Sequence, residues 1–414
     1  MDFTSRRHFL QNTALLFGAT ALSRGANAQP SLATNDEDYW DQVRAQFSFS
    51  EDAVPMNAAN LCPSFRAVAD NVQWLTADID RDCSFNNRNK FGDLLENARA
   101  SVALQLAVSA DEIALVRNTS EANNMINAGL TLDRGDEIIL WDQNHPTNNV
   151  AWQVRAARYG YQVTSVTTPD KPSSTDALLS AFTSRFSNRT RVLAITHVSN
   201  VSGVKLPVAE LVAAAHARGI YVHVDGAQTW GAMALNLKDL DVDSYSASAH
   251  KWYMGPKEVG LLYVKAENID RIWPSVVAPG WGNSADTTLI GARKFESLGQ
   301  RDDAALAGLG VAAQIHYRIG SRRIEARFRE LAQQLKEGIA AAGIDLFTPM
   351  EESLSHGVCI ARAPAGQGGT IANRLYTEYG IAGAATGGVR LCPTVYNTPE
   401  HINRAVAGLT ALMA

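Results

Sequence analysis

Between about Asp111 and Val264 the chain alternates short apolar runs with amphipathic stretches of helical period. The apolar runs are Glu112–Val116, Glu137–Trp141, Val192–Thr196, Ile220–Val224 and Gly260–Val264. Such alternation is typical of βαβ units, so it predicts a mostly parallel sheet covered by helices. One intervening helix is bounded by Pro207 near its start and Gly219 just past its end, which are common helix-start and helix-stop residues.

After about residue 300 the pattern changes. A long helix is predicted from a stripe of apolar positions, namely Ile324, Phe328, Leu331, Leu335 and Ile339. Short strand-like runs follow around Gly357–Ala361 and Gly388–Leu391. We therefore predict an α/β protein in which residues 29–300 form an N-terminal segment and a large domain. Residues 301–414 then form a smaller C-terminal α+β domain.

The first 28 residues have the features of an export signal. Ser5-Arg6-Arg7-His8-Phe9-Leu10 resembles the twin-arginine motif, and a weakly apolar stretch and Ala26-Asn27-Ala28 follow. The apolar stretch is about half of the roughly 20 residues that a membrane-spanning helix needs, which argues against a membrane anchor. We expect a signal peptide over residues 1–28, export by the twin-arginine machinery, and a mature periplasmic chain from about Gln29.

Composition excludes several classes of function. The 414 residues are 46% hydrophobic and 19% charged, with a net charge of −5. The sequence has no stripe of basic residues, which argues against nucleic acid as a partner. The four cysteines are scattered and contain no CxxC pair, so they predict neither a zinc site nor a disulfide scaffold. A pairing of Cys62 with Cys83 in an oxidising compartment stays open.

Lys251 and Asp225 carry the strongest chemical signal. Asp225 ends an alternating apolar run, and Lys251 follows it by 26 positions in the segment Ser246–Lys251. A lysine amine can bind the aldehyde of pyridoxal phosphate (PLP) covalently. A buried carboxylate can hold the pyridine nitrogen of PLP protonated, which makes the ring an electron sink. The two residues together predict PLP as the cofactor.

Further polar groups follow the predicted strands, where open α/β sheets bind ligands. Asn118 and Glu121 are spaced as a capping box, and Thr119, Ser120 and the free amides of that helix start could bind a phosphate. Taken alone, the segment could equally be a helix cap and nothing more. His145 follows the strand ending at Trp141; it could lie against a pyridine ring, act as an acid or base, or be an ordinary loop histidine.

Together these segments resemble the class V aminotransferase superfamily of fold-type I PLP enzymes, which includes cysteine desulfurases, isopenicillin N epimerase-like proteins and kynureninase. The resemblance extends from about Asn57 to the C-terminus. It is carried most specifically by Val224–Gln228, by Ala249–Lys251 and by the following Tyr253–Tyr263. It implies a PLP-dependent enzyme with a large and a small domain that works as a homodimer.

The resemblance assigns roles around the cofactor ring. Lys251 would bind the cofactor and then carry the α-proton of the substrate, while Asp225 would pair with the pyridine nitrogen. Gln228, aided by Asn200, would reach the phenolic oxygen. His145 would stack on the ring and complete the catalytic set.

The resemblance also assigns groups to the phosphate and the substrate. The implied phosphate contacts are Thr119, Ser120, Ser248, His250 and Gln300. Gln300 stands where the family has a threonine that reaches the partner subunit's phosphate. Arg390 matches the arginine that clamps the substrate carboxylate. Asn144 stands where desulfurases carry an acid before the ring-stacking histidine.

Departures from the family narrow the chemistry. Residues 383–389 form a short link without the catalytic cysteine of desulfurases, which disfavours sulfur transfer. The leading interpretation is an exported aminotransferase-like enzyme acting on an amino-acid or peptidic substrate. The closest functional analogy is the periplasmic enzyme that tailors pyoverdine siderophores. An amino-acid epimerase or C–S lyase is the alternative, and a non-catalytic binding protein with this fold is a third.

Overall fold

A seven-stranded sheet lies at the centre of the molecule, described by a computed structural model for residues 37–277 and 290–413. The predicted signal peptide lies outside these residues. The strands within these residues are β1 (Val54–Pro55), β2 (Ile113–Val116), β3 (Glu137–Trp141), β4 (Gln162–Val166), β5 (Thr190–Thr196), β6 (Tyr221–Asp225), β7 (Ser244–Ser248), β8 (Gly260–Val264), β9 (Cys359–Ala361), β10 (Ile381–Ala382), β11 (Ala384–Ala385) and β12 (Val389–Leu391).

The strand order of the large sheet is β2-β8-β7-β6-β5-β3-β4. The pairs from β7 to β4 are parallel, whereas β8 runs antiparallel to both β7 and β2. The predicted α/β fold with a mostly parallel sheet is therefore confirmed. Because only β8 is reversed, the carboxyl ends of β2, β3, β5, β6 and β7 meet at one edge of the sheet.

Helices cover the sheet and build the C-terminal part. Their bounds are Glu37–Arg44, Arg66–Arg81, Phe85–Arg88, Lys90–Leu106, Thr119–Gly129, Pro146–Tyr159, Thr175–Thr183, Val208–His216, Leu237–Leu240, Asp303–Ile319, Ser321–Ala341, Gly368–Tyr379 and Pro399–Met413. The apolar stripe predicted from Ile324 to Ile339 is buried in the helix Ser321–Ala341. No helix within the described ranges is long and apolar enough to cross a bilayer.

Two strands of the sheet lack a hydrophobic signal in the sequence. The edge strand β4 is largely exposed, with only Val166 fully buried. The central strand β7 is buried throughout, yet three of its five residues are serines. Since alternate strand residues share a face, Ser244, Ser246 and Ser248 all point to one side of the sheet. That side therefore presents hydroxyl groups where an apolar face is usual.

The C-terminal part has its own small sheets. Strands β11, β12 and β9 form an antiparallel sheet, and β1 pairs in parallel with β10. The N-terminal segment thus adds a strand to the C-terminal part before it enters the large sheet domain. Glu37, at the start of the N-terminal segment, accepts two hydrogen bonds of 2.6 and 2.8 Å from Arg327 of the C-terminal part. These contacts hold residues 37–57 against the small sheets.

Gly226 is required by a close contact next to the end of β6. A Cβ atom at this position would lie 1.8 Å from Cζ of Tyr245, whose hydroxyl donates to the Gly226 carbonyl at 3.2 Å. We expect Gly226→Ala to lower the free energy of unfolding by about 2 kcal/mol or more through overpacking. Gly92→Ala is the control, because that helical site has no atom within 4 Å. It should raise stability by up to about 1 kcal/mol. Equal urea midpoints for the two variants would contradict this.

Candidate active site

Asp225 is a buried carboxylate at the carboxyl end of β6. Its Oδ1 accepts a hydrogen bond of 3.0 Å from the Ala227 amide, and its Oδ2 accepts one of 2.8 Å from Nδ2 of Asn123. Asn123 lies on the helix Thr119–Gly129, which packs on this face of the sheet. A buried charge is tolerated only where such donors replace water. Both oxygens keep lone pairs for a further donor, as a protonated pyridine nitrogen would be.

Lys251 follows β7 in a turn and is half-buried. Burial lowers the pKa of its amine; the negative charge of Asp225 opposes this shift, and the positive charge of Arg390 adds to it. A lysine with a lowered pKa has more neutral amine at neutral pH. The neutral amine is the form that attacks an aldehyde and accepts a proton.

His145 caps the helix Pro146–Tyr159, and its Nδ1 accepts the Thr147 amide at 3.3 Å. Burial lowers the pKa of His145, the charges of Lys251 and Arg390 lower it further, and Asp225 raises it. His145 therefore lies within the electrostatic reach of Lys251, Asp225 and Arg390. A neutral imidazole suits contact with a protonated pyridine ring better than a cation does, because two like charges would repel each other.

Asn144 fixes the position of His145. Its side-chain Nδ2 donates to the Ala194 carbonyl at 2.9 Å and to Oδ1 of Asn149 at 3.0 Å. Its Oδ1 accepts the Thr196 amide at 2.7 Å. The Asn144 side chain therefore ties the loop after β3 to β5 and to the helix Pro146–Tyr159, directly before the histidine.

The predicted phosphate end joins the start of one helix to the end of β7. Oγ of Ser248 accepts the Thr119 amide at 2.8 Å and lies 2.6 Å from Oγ1 of Thr119. Ser120 is exposed on the same first turn. Hydroxyls and free amides at a helix start are suited to an anion. Half of the predicted capping box forms: Asn118 accepts the Glu121 amide at 3.0 Å.

The other half of the capping box was predicted incorrectly. The carboxylate of Glu121 accepts the amide of Arg117 at 2.6 Å, one residue before the cap, and also binds the Arg117 guanidinium at 3.0 Å. The guanidinium competes for the carboxylate and draws it toward the preceding residue. The helix start is therefore capped by the Asn118 side chain alone, without the return bond from the Asn118 amide to the Glu121 carboxylate.

Of the two remaining predicted phosphate contacts, His250 lies next to Lys251 and Gln300 is exposed. Burial, together with the charges of Lys251 and Lys257, lowers the pKa of His250 to about 4. It can therefore offer a phosphate one N–H but no positive charge. Gln300 accepts a hydrogen bond of 3.0 Å from Arg88 and donates one of 2.9 Å to the Arg301 carbonyl.

Gln228 and Asn200 were predicted to reach the phenolic oxygen of the cofactor. Oε1 of Gln228 accepts the indole N–H of Trp252 at 2.8 Å, and its Nε2 donates to the Ala59 carbonyl at 3.1 Å. One amide proton of Gln228 is left for another acceptor. Asn200 contacts Arg390 through its backbone carbonyl, which leaves its predicted side-chain role as a prediction.

Arg390 lies on β12 and is 5% exposed. Its Nη1 donates to the Asn200 carbonyl and its Nη2 to Oδ1 of Asn57, both at 3.0 Å. Its buried Nε has no hydrogen-bond partner among the residues that the structure describes. The guanidinium is thus held in a fixed orientation and keeps N–H groups for a carboxylate.

Several residues of the site were not predicted from the sequence. Asn57 is delivered to Arg390 by the N-terminal segment, which forms a bridge to Cys392. Nothing local in the sequence indicates that contact. Asn123 and His223 could have been found from periodicity, since Asn123 is one helical turn after Thr119 and His223 precedes Asp225 by two residues on a strand.

Residues 74–399 match the aminotransferase class-V family. The chain belongs to this family. Isopenicillin N epimerase of Streptomyces clavuligerus is 28% identical over 390 residues, which cover 90% of this chain and 98% of the epimerase. A cysteine desulfurase of Escherichia coli O127:H6 is 31% identical over 340 residues, covering 76% of this chain and 81% of the desulfurase.

Solved structures share the fold of this chain. A C-DES mutant with glycine covalently linked to its PLP cofactor has a TM-score of 0.80 at 22% identity and covers 89% of this chain and 98% of its own. The cysteine desulfurase CsdA from Escherichia coli has a TM-score of 0.78 at 24% identity and covers 90% and 98%. The predicted fold-type I architecture is confirmed.

The residues of the site fit the cofactor that the family uses, and the chain is a PLP-dependent enzyme. Lys251 would hold its aldehyde carbon, Asp225 its pyridine nitrogen, and the Thr119–Ser248 pair its phosphate. His145 would cover one face of the ring. The fit rests on the lowered pKa of Lys251 and on the two donors that hold a buried carboxylate at Asp225.

Asn144→Asp tests how His145 is positioned. A carboxylate would face the carbonyl of Ala194 and Oδ1 of Asn149, so we expect a loss of about 1–3 kcal/mol of stability at neutral pH. The same acceptors would raise the pKa of the new acid in the folded state. The loss in free energy of unfolding relative to the parent should therefore be small at a pH below about 4, the ordinary pKa of an aspartic acid. It should grow as the pH rises above that value.

Urea unfolding at several pH values measures this effect. Asn188→Asp is the control, because Asn188 is exposed and its variant should stay within about 0.5 kcal/mol of the parent. A deficit of Asn144→Asp that does not depend on pH would contradict the assigned hydrogen bonds.

Proposed function

We propose that this enzyme acts at the α-carbon or the amino group of an amino-acid moiety, with transamination as the leading reaction. The observation that carries the proposal is Lys251, whose amine has a pKa lowered by burial and lies within the electrostatic reach of Asp225 and Arg390. PLP supplies an electron sink that weakens the bonds to the substrate α-carbon. Lys251 is the group placed to take and return the α-proton.

Arg390 selects the substrate in this proposal. Its guanidinium is buried and oriented by Asn57 and Asn200, and a bidentate pair with a carboxylate is its strongest polar contact. An amino acid with a free α-carboxylate would be held at one end by this pair. Its α-carbon would then lie toward Lys251.

Epimerisation is the second candidate reaction. It is supported by the similarity to isopenicillin N epimerase, which extends over 90% of this chain. Epimerisation and transamination share removal of the α-proton and differ in where the proton returns. C–S lyase activity is a further alternative, supported by the similarity of fold to the cystine C–S lyase C-DES at a TM-score of 0.79.

Sulfur transfer through an enzyme thiol has less support. Cys62, Cys359 and Cys392 are buried, and burial raises the pKa of Cys62 and of Cys359 to about 12. A thiol is a nucleophile mainly as its thiolate, which such environments suppress. Cys83 is exposed and, like the others, free. It lies outside the link 383–389 that precedes Arg390.

We further propose that the enzyme is exported by the twin-arginine pathway and works in the periplasm as a homodimer. The motif around Arg6 and Arg7 supports export. An exported member of a family of amino-acid enzymes would tailor a secreted product, and a siderophore peptide such as pyoverdine is the substrate class we favour. The exposed Gln300 is the residue we expect to reach the partner subunit's phosphate.

Lys251→Ala tests cofactor attachment. The purified parent should be yellow because it holds PLP covalently, whereas the variant should lose that absorbance and its activity should fall by at least about three orders of magnitude. Absorption spectra before and after borohydride reduction measure attachment. A colourless parent that takes up no PLP would sink the proposal.

Isotope exchange separates the candidate reactions. Holoenzyme is mixed with an amino acid in deuterium oxide, without a keto acid. Accumulation of the pyridoxamine form supports transamination, whereas deuterium at the α-carbon with a racemising substrate and unchanged cofactor supports epimerisation. Release of sulfide or a thiol supports the lyase. A holoenzyme that catalyses none of these with any carboxylate-bearing amino acid contradicts the proposed reaction class.

Asn57→Ala tests the orientation of Arg390. Loss of a hydrogen bond to a charged group should raise KM for the amino acid by on the order of ten-fold, with a smaller effect on kcat. Arg390→Lys should raise KM further, because an ammonium cannot make the paired contact. The control is Asn60→Ala, at an exposed residue of the same segment. An unchanged KM in Asn57→Ala would contradict the role of this contact.

A further inference from the structure

A hydrogen-bond network extends from Asp225 into the buried interface between the helix Thr119–Gly129 and the sheet. Nδ2 of Asn123 donates to Oδ2 of Asp225 at 2.8 Å. Oδ1 of Asn123 accepts from Nε2 of His223 at 2.9 Å and from the hydroxyl of Ser246. Nδ1 of His223 lies 2.8 Å from the hydroxyl of Ser244. The network thus links one helix to two neighbouring strands beneath the carboxylate.

The network is sealed from solvent. Asp225 is 2% exposed and Asn123 is 3% exposed, while His223, Ser244 and Ser246 are fully buried. An unpaired polar group in such surroundings costs about 1–3 kcal/mol, so each orientation in the network is strongly preferred. Asp225 can only accept as a carboxylate. The Asn123 amide must therefore turn its N–H toward Asp225 and its oxygen toward His223 and Ser246.

His223 has one protonation state in this arrangement. Burial lowers its pKa to about 3, so the ring is neutral. Because Oδ1 of Asn123 only accepts, the single N–H of His223 is at Nε2, and Nδ1 accepts the Ser244 hydroxyl. The ring cannot rotate without breaking both bonds. It therefore holds the Asn123 amide in the orientation that donates to Asp225.

We propose that Asn123 and His223 are positioning residues that keep the Asp225 carboxylate aimed at the pyridine nitrogen of bound PLP. The inference rests on the proposed role of Asp225. A hydrogen bond donated to a carboxylate favours its charged form over the neutral acid. In a pair formed by Asp225 and the pyridine nitrogen, that donor keeps the shared proton on the nitrogen. Protonated PLP is the stronger electron sink, so the network acts on reactivity through Asp225.

The test reads the protonation state of the nitrogen directly. PLP labelled with nitrogen-15 is bound to the full-length enzyme and its NMR shift is recorded at neutral pH. In Asn123→Leu the shift should move toward that of unprotonated pyridine. The dissociation constant of PLP should rise on the order of ten-fold, as expected when a charged group loses one hydrogen bond.

Asn127→Leu is the matched control. Asn127 is 3% exposed on the same helix, one turn after Asn123, and neither polar atom of its side chain has a partner among the described residues. The same substitution there removes a buried amide without touching Asp225. It should leave both the nitrogen-15 shift and the affinity for PLP at parental values.

Two variants of His223 keep the test decisive if Asn123→Leu does not fold. His223→Leu removes the N–H that orients the Asn123 amide, but Ser246 still donates to it, so the shift should move only part of the way. His223→Gln can donate to the same oxygen and should restore the parental shift. A leucine variant that binds PLP with the parental shift, and loses only stability, would overturn the inference.

Asp225→Ala separates failure of this inference from failure of the proposed function. If the parent shift is unchanged in Asp225→Ala holoenzyme, the proposed contact of Asp225 with the nitrogen is wrong. If Asp225→Ala moves the shift and neither Asn123→Leu nor His223→Leu does, the contact stands and the network has a structural role alone.

Discussion

The carboxylate of Asp225 is the charge on which the rest of the site depends. It is buried at the end of a central strand, where only hydrogen bonds from Ala227 and Asn123 replace the water it has lost. Its field also opposes the burial that depresses the pKa of Lys251. Moving or neutralising this carboxylate would therefore change the proton affinity of the lysine as well as its own contacts. The fold places both groups at the one edge where the parallel strands end.

The N-terminal segment is the second constraint, because it connects the two ends of the site. Asn57 holds Arg390, and two residues later the Ala59 carbonyl accepts from Gln228. The Cys62 amide then donates to the carbonyl of His250, which precedes Lys251. The group proposed to bind substrate and the groups proposed to bind cofactor are thus joined through six residues of backbone. A movement of the small sheets would therefore change the contacts of Arg390 and those of the residues proposed to bind the cofactor.

Most strands of the large sheet, and the positions of Asp225 and Lys251, could be predicted because each depends on a short stretch of neighbouring residues. Short apolar runs mark β2, β3, β5, β6 and β8, and the end of β6 places Asp225. The strand β7 was not predicted, since its serines face a polar seam that only the folded helix Thr119–Gly129 completes. Asn57 was not predicted either. Its contact with Arg390 joins residues separated by 333 positions, which no periodicity encodes.

The serines of β7 and the polar residues of the facing helix form a seam in which each donor must meet an acceptor. An apolar interface would stabilise the helix on the sheet without any requirement for matched hydrogen bonds. Here Thr119 contacts Ser248 at the start of the helix, and Asn123 contacts Ser246 one turn later. Both serines lie on the face of β7 that the helix Thr119–Gly129 covers. The matched groups of this seam lead to Asp225, because the Asn123 amide that accepts from Ser246 also donates to the carboxylate.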